Sequence, residues 1–278
     1  MQIHVSSTSK QLFACAMFSQ ACAGTQPDDS ALQLASAQAL ATDYYRPSAR
    51  TSWQIQLQGK LDTNVSADLY DVDLFDTDKS EIAALHAQGR RVICYFDTAY
   101  EPWRPDAKAL EPFRAKAMDG WPGQYWLDVK SEVVRGVMWD RIELAAAKGC
   151  DGVDADDVDM VGNDTGLSLF RNEQQEFIIL LARLAHANGL AFGLKNDLGD
   201  IPRLEQYVDF AINEQCLEYR ECDAMKPFTD AGKPVFHIEY SDGNFADAAT
   251  TICARSKALG FRTLIKDLDL DAPSYACP

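Results

Sequence analysis

The sequence predicts an α/β fold: a closed (β/α)8 TIM barrel, with or without one extra strand. Short apolar runs typical of strands alternate with longer amphipathic runs typical of helices, and glycines stand at the junctions between them. Alternation of this kind produces parallel sheets, and sequential βα units over about 230 residues favour a closed barrel. No strand is followed by G-x-G-x-x-G or a Walker loop, so the alternative, a doubly wound open sheet, is less favoured.

Nine segments have the composition of strands, one more than a barrel needs. In chain order they are WQIQL (53–57), LYDVDLF (69–75), RVICYF (91–96), YWLDV (125–129), GVDAD (152–156), AFGLKN (191–196), FAINEQ (210–215), PVFHIEY (234–240) and FRTLIK (261–266). One of them is therefore an extra strand or no strand. The first two are the suspect pair, because there is no room for a long helix between them.

Five helical runs end in a glycine just before the next strand. Glycine tolerates the left-handed conformation that ends many helices, so these positions predict helix ends. They are Gly89, Gly149, Gly189, Gly232 and Gly260.

The 278 residues divide into three predicted parts. Residues 1–24 contain a lysine, an apolar run and small residues around Cys22, which resembles a secretory leader with a weakened lipoprotein cleavage box. Residues 25–50 have the composition of a linker, and residues 51–278 form a single barrel domain. We therefore expect an exported monomer, secreted or lipid-anchored through Cys22 at the bacterial cell envelope, with no transmembrane span.

The chain is acidic, with 42 Asp and Glu against 26 Lys and Arg and a formal net charge of −16. This charge argues against nucleic acid as a partner, because phosphates require the opposite sign. It is compatible with a cationic substrate, whose approach an acidic cleft would accelerate. A solubilising acidic surface is the simpler explanation of the charge alone.

Eight cysteines favour an oxidising compartment. A disulfide between Cys216 and Cys222 would close a short loop, and one between Cys253 and Cys277 would tie the C-terminal tail to the last helix. Cys94 lies in an apolar strand, where a buried free thiol is expected. No C-x-x-C motif or histidine cluster predicts a zinc site, and no cofactor is expected.

Polar residues gather at the carboxyl ends of the predicted strands, which in a barrel converge on the mouth where active sites lie. The acids are Asp71, Asp73, Asp76, Asp97, Asp128, Asp154, Asp156, Asp157, Glu214 and Glu239. Their other strand-end neighbours are Lys195, Asn196, Gln215 and Tyr240, and the nearby aromatic residues are Trp53, Tyr95, Trp103 and Trp126. A cap or loop charge explains any one acid more simply, but the whole set predicts an active site.

With four histidines and no G-x-S-x-G motif, carboxylates are the candidates for catalysis. A carboxylate cluster spreads the pKa values of its members, so that one can act as an acid while another stays charged. Two carboxylates with aromatic walls are what glycoside hydrolysis requires. A Ca²⁺ site in DADDVD (154–159) is an alternative, although its spacing is not that of an EF-hand loop.

Nine blocks in chain order, from about Trp53 to Tyr240, resemble glycoside hydrolase family 114, the endo-α-1,4-polygalactosaminidase-like proteins. They are W-Q-I-Q-L-Q-G, Y-D-V-D-L-F-D-T, V-I-C-Y-F, W-R-P-D, W-P-G-Q-Y-W-L-D, D-G-V-D-A-D-D-V-D, G-L-K-N, N-E-Q-C-x-x-Y-x-E-C and P-V-F-x-I-E-Y. The resemblance implies a (β/α)8 barrel, sometimes with an extra strand. It also implies cleavage inside α-1,4-linked galactosamine polymers, which are cationic when deacetylated.

By position in these motifs, the resemblance implies that Asp156 is the nucleophile and Glu214 the general acid/base of a retaining endo-hydrolase. Glu239 is the reserve candidate for either role. Lys195 and Asn196 are expected to help keep a catalytic carboxylate ionised. The residues expected to bind substrate are Asp71, Asp73, Tyr95, Asp97, Trp103, Asp128, Asp154, Lys195, Asn196, Glu239 and Tyr240.

The block around the expected nucleophile departs from the family pattern V-E-P-D-N. Asp154 replaces Glu, Ala155 replaces Pro and Asp157 replaces Asn, while Asp97 stands where a small residue is common. A carboxylate at 157 is expected to raise the pKa of Asp156 unless a cation lies nearby. The alternative function is a non-catalytic sugar-binding lipoprotein on the same barrel.

Overall fold

The computed structural model describes residues 43–242 and 244–278. The predicted leader, with Cys22, and most of the predicted linker lie outside the described residues. In the described part of the chain, no helix is long and apolar enough to cross a bilayer.

Eleven strands occur within the described residues. In chain order they are β1 (Trp53–Gln56), β2 (Leu69–Asp73), β3 (Arg91–Asp97), β4 (Arg114–Ala117), β5 (Tyr125–Leu127), β6 (Gly152–Asp156), β7 (Ala191–Lys195), β8 (Phe210–Glu214), β9 (Val235–Tyr240), β10 (Arg262–Lys266) and β11 (Tyr275–Ala276).

Eight of these strands form the predicted parallel barrel. They lie side by side in the order β1-β2-β3-β6-β7-β8-β9-β10, each parallel to the next, and β11 adds an antiparallel strand beyond β10. The first and last parts of the sheet are joined by hydrogen bonds from Leu57 N to Leu270 O (2.9 Å) and from Trp53 Nε1 to Arg262 O (2.8 Å). The predicted (β/α)8 fold is confirmed.

One of the nine strand candidates lies outside the barrel, as the count of eight barrel strands required. It is YWLDV, since β5 pairs antiparallel with β4 in a separate two-stranded sheet. The suspect pair is genuine: β1 and β2 pair directly in parallel, joined by the helix-free segment 57–68. The composition of an apolar run can predict a strand, but it does not specify the strand with which that strand pairs. For this reason the sequence alone did not separate YWLDV from the barrel strands.

The helices of the described residues lie between the barrel strands. They are α1 (Lys79–Ala87), α2 (Ala107–Leu110), α3 (Glu132–Lys148), α4 (Arg171–Ala187), α5 (Ile201–Leu204), α6 (Cys216–Tyr219), α7 (Lys226–Asp230) and α8 (Phe245–Leu259), with 3-10 turns at Glu111–Phe113, Glu205–Tyr207 and Cys222–Met225. All five predicted junction glycines have a positive φ, from 71° at Gly232 to 96° at Gly149. These predicted helix ends are confirmed.

Alternation along the strands divides the apolar residues into two cores. The inner core fills the barrel, with Ile55, Ile93, Phe210, Ile212 and Phe236 among its members. The outer core packs the sheet against the helices, with Val72, Phe96, Phe177, Phe192 and Leu194 among its members. Because side chains two residues apart share a face, the polar residues that follow the inner core also point into the barrel.

Three disulfides are present in the described part of the chain. Cys216–Cys222 and Cys253–Cys277 confirm the two predicted pairs. The prediction of a free thiol at Cys94 was wrong, because it is bonded to Cys150, 56 residues away in sequence. Cys150 lies just before β6, the strand that pairs with β3, so the barrel brings the two Cα atoms to 6.0 Å, a normal disulfide separation.

Candidate active site

Asp156, the last residue of β6, has both carboxylate oxygens hydrogen-bonded. Its Oδ2 accepts from Lys195 Nζ at 2.7 Å and from Tyr95 OH at 3.0 Å, and its Oδ1 accepts from Asp157 N at 2.8 Å. Burial alone would raise the pKa of Asp156, but the charge and hydrogen bond of Lys195, with the other two hydrogen bonds, hold it below its ordinary value. This carboxylate is therefore kept ionised, as a nucleophile must be.

Glu214, the last residue of β8, is held by two neighbours. Its Oε1 accepts a hydrogen bond from Tyr240 OH, and its Oε2 accepts from Asn196 Nδ2 at 3.2 Å. Asn196 also accepts from the Glu214 amide at 3.0 Å, so one side chain orients both ends of this residue. Burial, and then the neighbouring charge of Glu214, raise the pKa of Tyr240, which keeps its hydroxyl a donor.

Lys195, the last residue of β7, lies between the two carboxylates. Its Nζ is 2.7 Å from Asp156 Oδ2 and 3.6 Å from Glu214 Oε2. Burial lowers the pKa of Lys195, but the carboxylates outweigh that effect and hold it well above its ordinary value. A buried, permanently charged ammonium therefore compensates the charge of both acids.

The three strands that carry these residues end in the same unusual way. Asp157, Asn196 and Gln215 follow Asp156, Lys195 and Glu214 in turn, and their φ angles are 55°, 47° and 60°. Left-handed conformations are unfavourable for residues other than glycine, with Asn and Asp the most tolerant, and they cluster at functional sites. The backbone thus turns sharply directly after each of the three central residues.

Asp71 and Asp154 lie one layer deeper in the barrel. Both are almost fully buried, and none of their carboxyl oxygens has a hydrogen-bond partner among the described residues. Burial raises the pKa of Asp154 to about 7, with Lys195 opposing it, and burial followed by the charge of Asp154 raises that of Asp71 well above its usual range. The structure brings these predicted residues beneath Asp156 and Glu214, closed off from solvent.

Asp73 is brought to the mouth but is occupied by Arg104. The guanidinium donates to Asp73 Oδ2 at 2.7 Å and Oδ1 at 3.0 Å, and to Glu101 Oε2 at 2.7 Å. Arg104 and Glu101 were not among the predicted site residues, although Arg104 lies in the W-R-P-D block. The sequence carried one indication of such a partner, because an acid at the end of a buried strand requires a cation nearby.

Asp97 ends β3, beside Asp156. Its Oδ1 accepts from Ala99 N at 2.6 Å, and its carboxyl group is a neighbour of that of Asp157. Burial raises the pKa of Asp97 to about 6. Asp159, the last acid of the DADDVD segment considered as a Ca²⁺ site, lies in the same acidic group, and burial followed by the charge of Asp156 raises its pKa to about 6.

Two predicted substrate-binding residues lie elsewhere. Glu239 is on the face of β9 opposite Phe236 and Ile238, where its Oε1 accepts from Leu217 N at 2.8 Å and lies 2.9 Å from His237 Nε2. It therefore anchors α6 from outside the barrel interior. Asp128 lies in the turn between β5 and α3, where its Oδ1 accepts from Lys130 N at 3.1 Å, because its strand is not part of the barrel.

The predicted aromatic residues are divided between core and surface. Trp53 and Trp126 are buried, while Trp103 is 56% exposed on the loop after β3, with its Nε1 donating to Glu101 Oε1 at 3.1 Å. Trp121, which the sequence analysis did not select, is 54% exposed in the turn between β4 and β5. Tyr95 and Tyr240 contribute hydroxyl groups to the carboxylates rather than ring faces alone.

One group of possible metal ligands occurs among the described residues, formed by Cys216, Cys222 and His237. The two sulfurs are already joined in a disulfide, so they are not available as thiolate ligands. The acids of DADDVD point in different directions: Asp154 lies inside the barrel below Asp156, and Asp157 contacts Asp97.

Comparisons with known proteins place the chain among glycoside hydrolases. The model of glycoside-hydrolase family GH114 matches residues 34–278. The crystal structure of Aspergillus fumigatus Ega3 in complex with galactosamine is 42% identical, covers 85% of this chain and 99% of its own, and superposes with a TM-score of 0.79. No curated protein sequence matches the chain.

A more distant likeness is the glycoside hydrolase domain of PelA from Pseudomonas aeruginosa. It is 14% identical, covers 83% of this chain and 99% of its own, and has a TM-score of 0.65. At this identity the likeness shows a shared fold.

Proposed function

The chain belongs to glycoside hydrolase family GH114 and is a glycosidase, and from that premise we propose that it cleaves α-1,4-linked galactosamine or N-acetylgalactosamine polymers internally, with retention of anomeric configuration. Asp156 is the nucleophile and Glu214 the general acid/base. The observation that carries the proposal is the position of Lys195 Nζ between the two carboxylates, 2.7 Å and 3.6 Å from their oxygens.

The shared ammonium supports retention over inversion. Two oxygens that both lie this close to one nitrogen are nearer to each other than the roughly 6.5 Å at which the carboxyl separation of inverting enzymes begins. Attack by Asp156 itself fits the arrangement.

In the first step, Asp156 attacks the anomeric carbon as the bond from that carbon to the glycosidic oxygen breaks. Glu214 gives its proton to the departing oxygen, which leaves as a hydroxyl group on the released chain. In the second step, Glu214 removes a proton from water as the water attacks the anomeric carbon. The bond to Asp156 breaks, and both carboxyl groups return to their starting states.

The residues around this pair have matching roles. Lys195, Tyr95 and Asp157 N hold the nucleophile ionised and oriented, as described above. Tyr240 and Asn196 hold the Glu214 carboxyl group in a fixed orientation. Preorganised donors of this kind stabilise charge without reorganisation during the reaction.

The substrate is proposed from three observations. The relative at 42% identity binds galactosamine in its crystal structure. The net charge of −16 suits a cationic amino-sugar polymer. Trp103 and Trp121 present exposed rings on loops at the carboxyl side of the barrel, where they would stack on sugars beyond the cleaved bond and favour internal cleavage.

We also propose that the protein is exported. Three disulfides support an oxidising compartment. Secretion, lipidation at Cys22 and a monomeric state stay predictions.

The test is reducing-end release from partly deacetylated α-1,4-galactosaminogalactan by the wild type, Asp156→Asn and Glu214→Gln. The wild type is expected to release reducing ends, and each variant to lose on the order of 10²–10⁴-fold in rate, the usual contribution of a positioned acid or base. Asp230→Asn, at an exposed pair with Lys226, is the matched control and keeps wild-type activity. Proton NMR of the first product reports its anomeric form.

The outcomes separate the alternatives. An initial α-anomer supports retention, and an initial β-anomer overturns it in favour of inversion. Wild-type protein that binds the polymer without cleaving it would support the non-catalytic sugar-binding alternative. Full activity in either acid variant, with the fold checked by circular dichroism, would remove that residue from its role.

A further inference from the structure

The ends of β3 and β6 lie side by side, and each ends in an acidic group. Asp97 is paired in register with Asp156, Thr98 N donates to Asp156 O at 3.0 Å, and Thr98 Oγ1 donates to Asp157 O at 3.2 Å. These contacts hold the residue after the nucleophile against the end of the neighbouring strand.

The carboxyl groups of Asp97 and Asp157 are neighbours at these strand ends, and each acts on the pKa of the other. An ionised carboxylate has only acceptor oxygens, so a hydrogen bond between them requires a proton on one of the two. Asp97 Oδ1 already accepts from Ala99 N at 2.6 Å, which favours Asp97 as the acceptor and Asp157 as the donor. A carboxylic acid at Asp157 donating to a carboxylate at Asp97 is the arrangement that fits these contacts.

The pair is connected to catalysis through the backbone of Asp157. Its N–H is the donor that holds Asp156 Oδ1, at 2.8 Å. Its φ is 55°, a left-handed conformation that persists only where the surroundings impose it. The side-chain contact with Asp97 and the bond from Thr98 are the contacts that impose it here.

The charges that face the pair are mostly negative. Glu101 and Asp156 face Asp97, and Asp156 and Asp159 face Asp157. From α3, Arg141 donates to the carbonyl oxygen of Asp97, but its guanidinium is also held by Asp106. Lys195 is directed to Asp156 and Glu214.

We propose that Asp97 and Asp157 share one proton, and that this proton positions the nucleophile by fixing the Asp157 amide against Asp156 Oδ1. When the proton is lost, two adjacent carboxylates repel each other, Asp157 leaves its left-handed conformation and the amide no longer holds the nucleophile. Turnover then falls as pH rises. The catalytic consequence rests on the proposed function, whereas the shared proton itself does not.

The direction of the effect follows from the environment of the pair. Burial raises the pKa of Asp97 to about 6, and burial followed by the charge of Asp97 raises that of Asp157 well above its ordinary value. The proton is consequently retained in weakly acidic solution and lost on the alkaline side. Asp97 and Asp157 are positioning residues, since they act through Asp156.

The first test is the pH dependence of kcat for the wild type, Asp157→Asn and Asp97→Ala, with Asp230→Asn as control. An amide at 157 donates to Asp97 at every pH, so Asp157→Asn is expected to move the alkaline limb of kcat upward by at least about one pH unit, with KM unchanged. Asp97→Ala removes the acceptor and is expected to lower kcat at least about 10-fold at every pH. The same alkaline limb in the wild type and Asp157→Asn would overturn the proposal.

The second test needs no activity, so it separates this proposal from the proposed function. A carboxyl group whose pKa is raised by folding contributes stability that is full below about pH 4 and is lost as pH rises through the folded value. Between pH 4 and 7, the wild-type Tm is expected to fall relative to that of Asp157→Asn by at least about 3 °C. A Tm difference independent of pH would overturn the shared proton even if the wild type cleaves the polymer.

Discussion

Two cations at the barrel mouth each contact more than one carboxylate, yet the two clusters have different properties. Arg104 also reaches the exposed carboxylate of Asp76, at 3.4 Å. The Arg104 cluster consists of Asp73, Glu101 and Arg104, and the Lys195 cluster consists of Asp156, Lys195 and Glu214. Both combine one positive charge with two acids on neighbouring elements. They differ in how many hydrogen bonds the cation makes and in how far the acids are exposed.

In the Arg104 cluster the ion pairs are closed. The side chains of Arg104, Asp73 and Glu101 are 7%, 5% and 4% exposed. The planar guanidinium donates to both oxygens of Asp73 and to Glu101, which uses its fork geometry fully. Burial lowers the pKa of Arg104, but Glu101 and Asp73 outweigh this and raise it, so the guanidinium stays charged.

In the Lys195 cluster the cation is more deeply buried than its acids. Lys195 is 2% exposed, while Asp156 and Glu214 are 21% and 22% exposed. The ammonium contacts one oxygen of each carboxylate, and the carboxylates turn their remaining surface towards the open mouth. The comparison teaches that composition alone does not distinguish a structural ion pair from a catalytic one. The number of donors on the cation and the exposure of the acids make the distinction.

Replacing Lys195 by Met is expected to cause the largest loss of activity among the replacements that compare the two clusters. Without the ammonium, the pKa of Asp156 rises, so that the acidic limb of kcat/KM moves to higher pH, and kcat falls by on the order of 10²–10⁴-fold. The sign follows because Asp156 must be ionised to attack. The measurement is the pH profile of reducing-end release per folded molecule.

The matched control is Lys266→Met, which removes another buried lysine of the barrel. Lys266 donates to backbone carbonyls, at 2.9 Å from Ile55 O, and not to the catalytic carboxylates. Its replacement is expected to leave the acidic limb in place. A wild-type acidic limb in Lys195→Met would contradict the role given to the Lys195 cluster.

Replacing Arg104 by Met is expected to affect stability more than catalysis. Asp73 and Glu101 would be left buried without their cation, and breaking a buried ion pair in this way costs about 3–5 kcal/mol. Urea unfolding measures the loss, and kcat at low temperature is expected to stay within about threefold of the wild type. A loss of kcat as large as that of Lys195→Met, with unchanged stability, would show that the two clusters are functionally alike.

The smallest effect is expected from Trp103→Ala. The ring lies against the Arg104 cluster through its bond to Glu101 and leaves an exposed face for a sugar. Loss of one stacking contact, worth about 0.5–1.5 kcal/mol, is expected to raise KM for the polymer about 2- to 10-fold, with kcat unchanged. Trp139→Ala, on the outer helix α3 where Trp139 bonds Glu143, is the control and leaves KM unchanged. Equal effects of the two replacements would contradict a sugar-stacking role for Trp103.

Much of the fold could be predicted from local patterns. The βα alternation and the five junction glycines are short-range features, because strand period, helix period and helix C-caps each depend on a few consecutive residues. Two of the three disulfides were also found, since both lie within 24 residues of sequence. The third, Cys94–Cys150, depends on the pairing of β3 with β6, which no local pattern reveals.

The sequence by itself predicted which polar residues meet at the mouth, because these residues stand at strand ends. Parallel strands in a barrel present their carboxyl ends together. Asp156, Lys195, Asn196 and Glu214 were found in this way and are in contact. Only the tertiary structure decided which acids take a cation, which face inward and which remain without partners. Glu239 points out of the barrel because neighbouring residues of a strand face opposite sides. Asp128 follows β5, which belongs to the separate two-stranded sheet, and Asp73 is bound by an arginine 31 residues away. The physical reason is that charge, burial and hydrogen bonding are properties of the space around a carboxyl group, and that space is formed by residues distant in sequence.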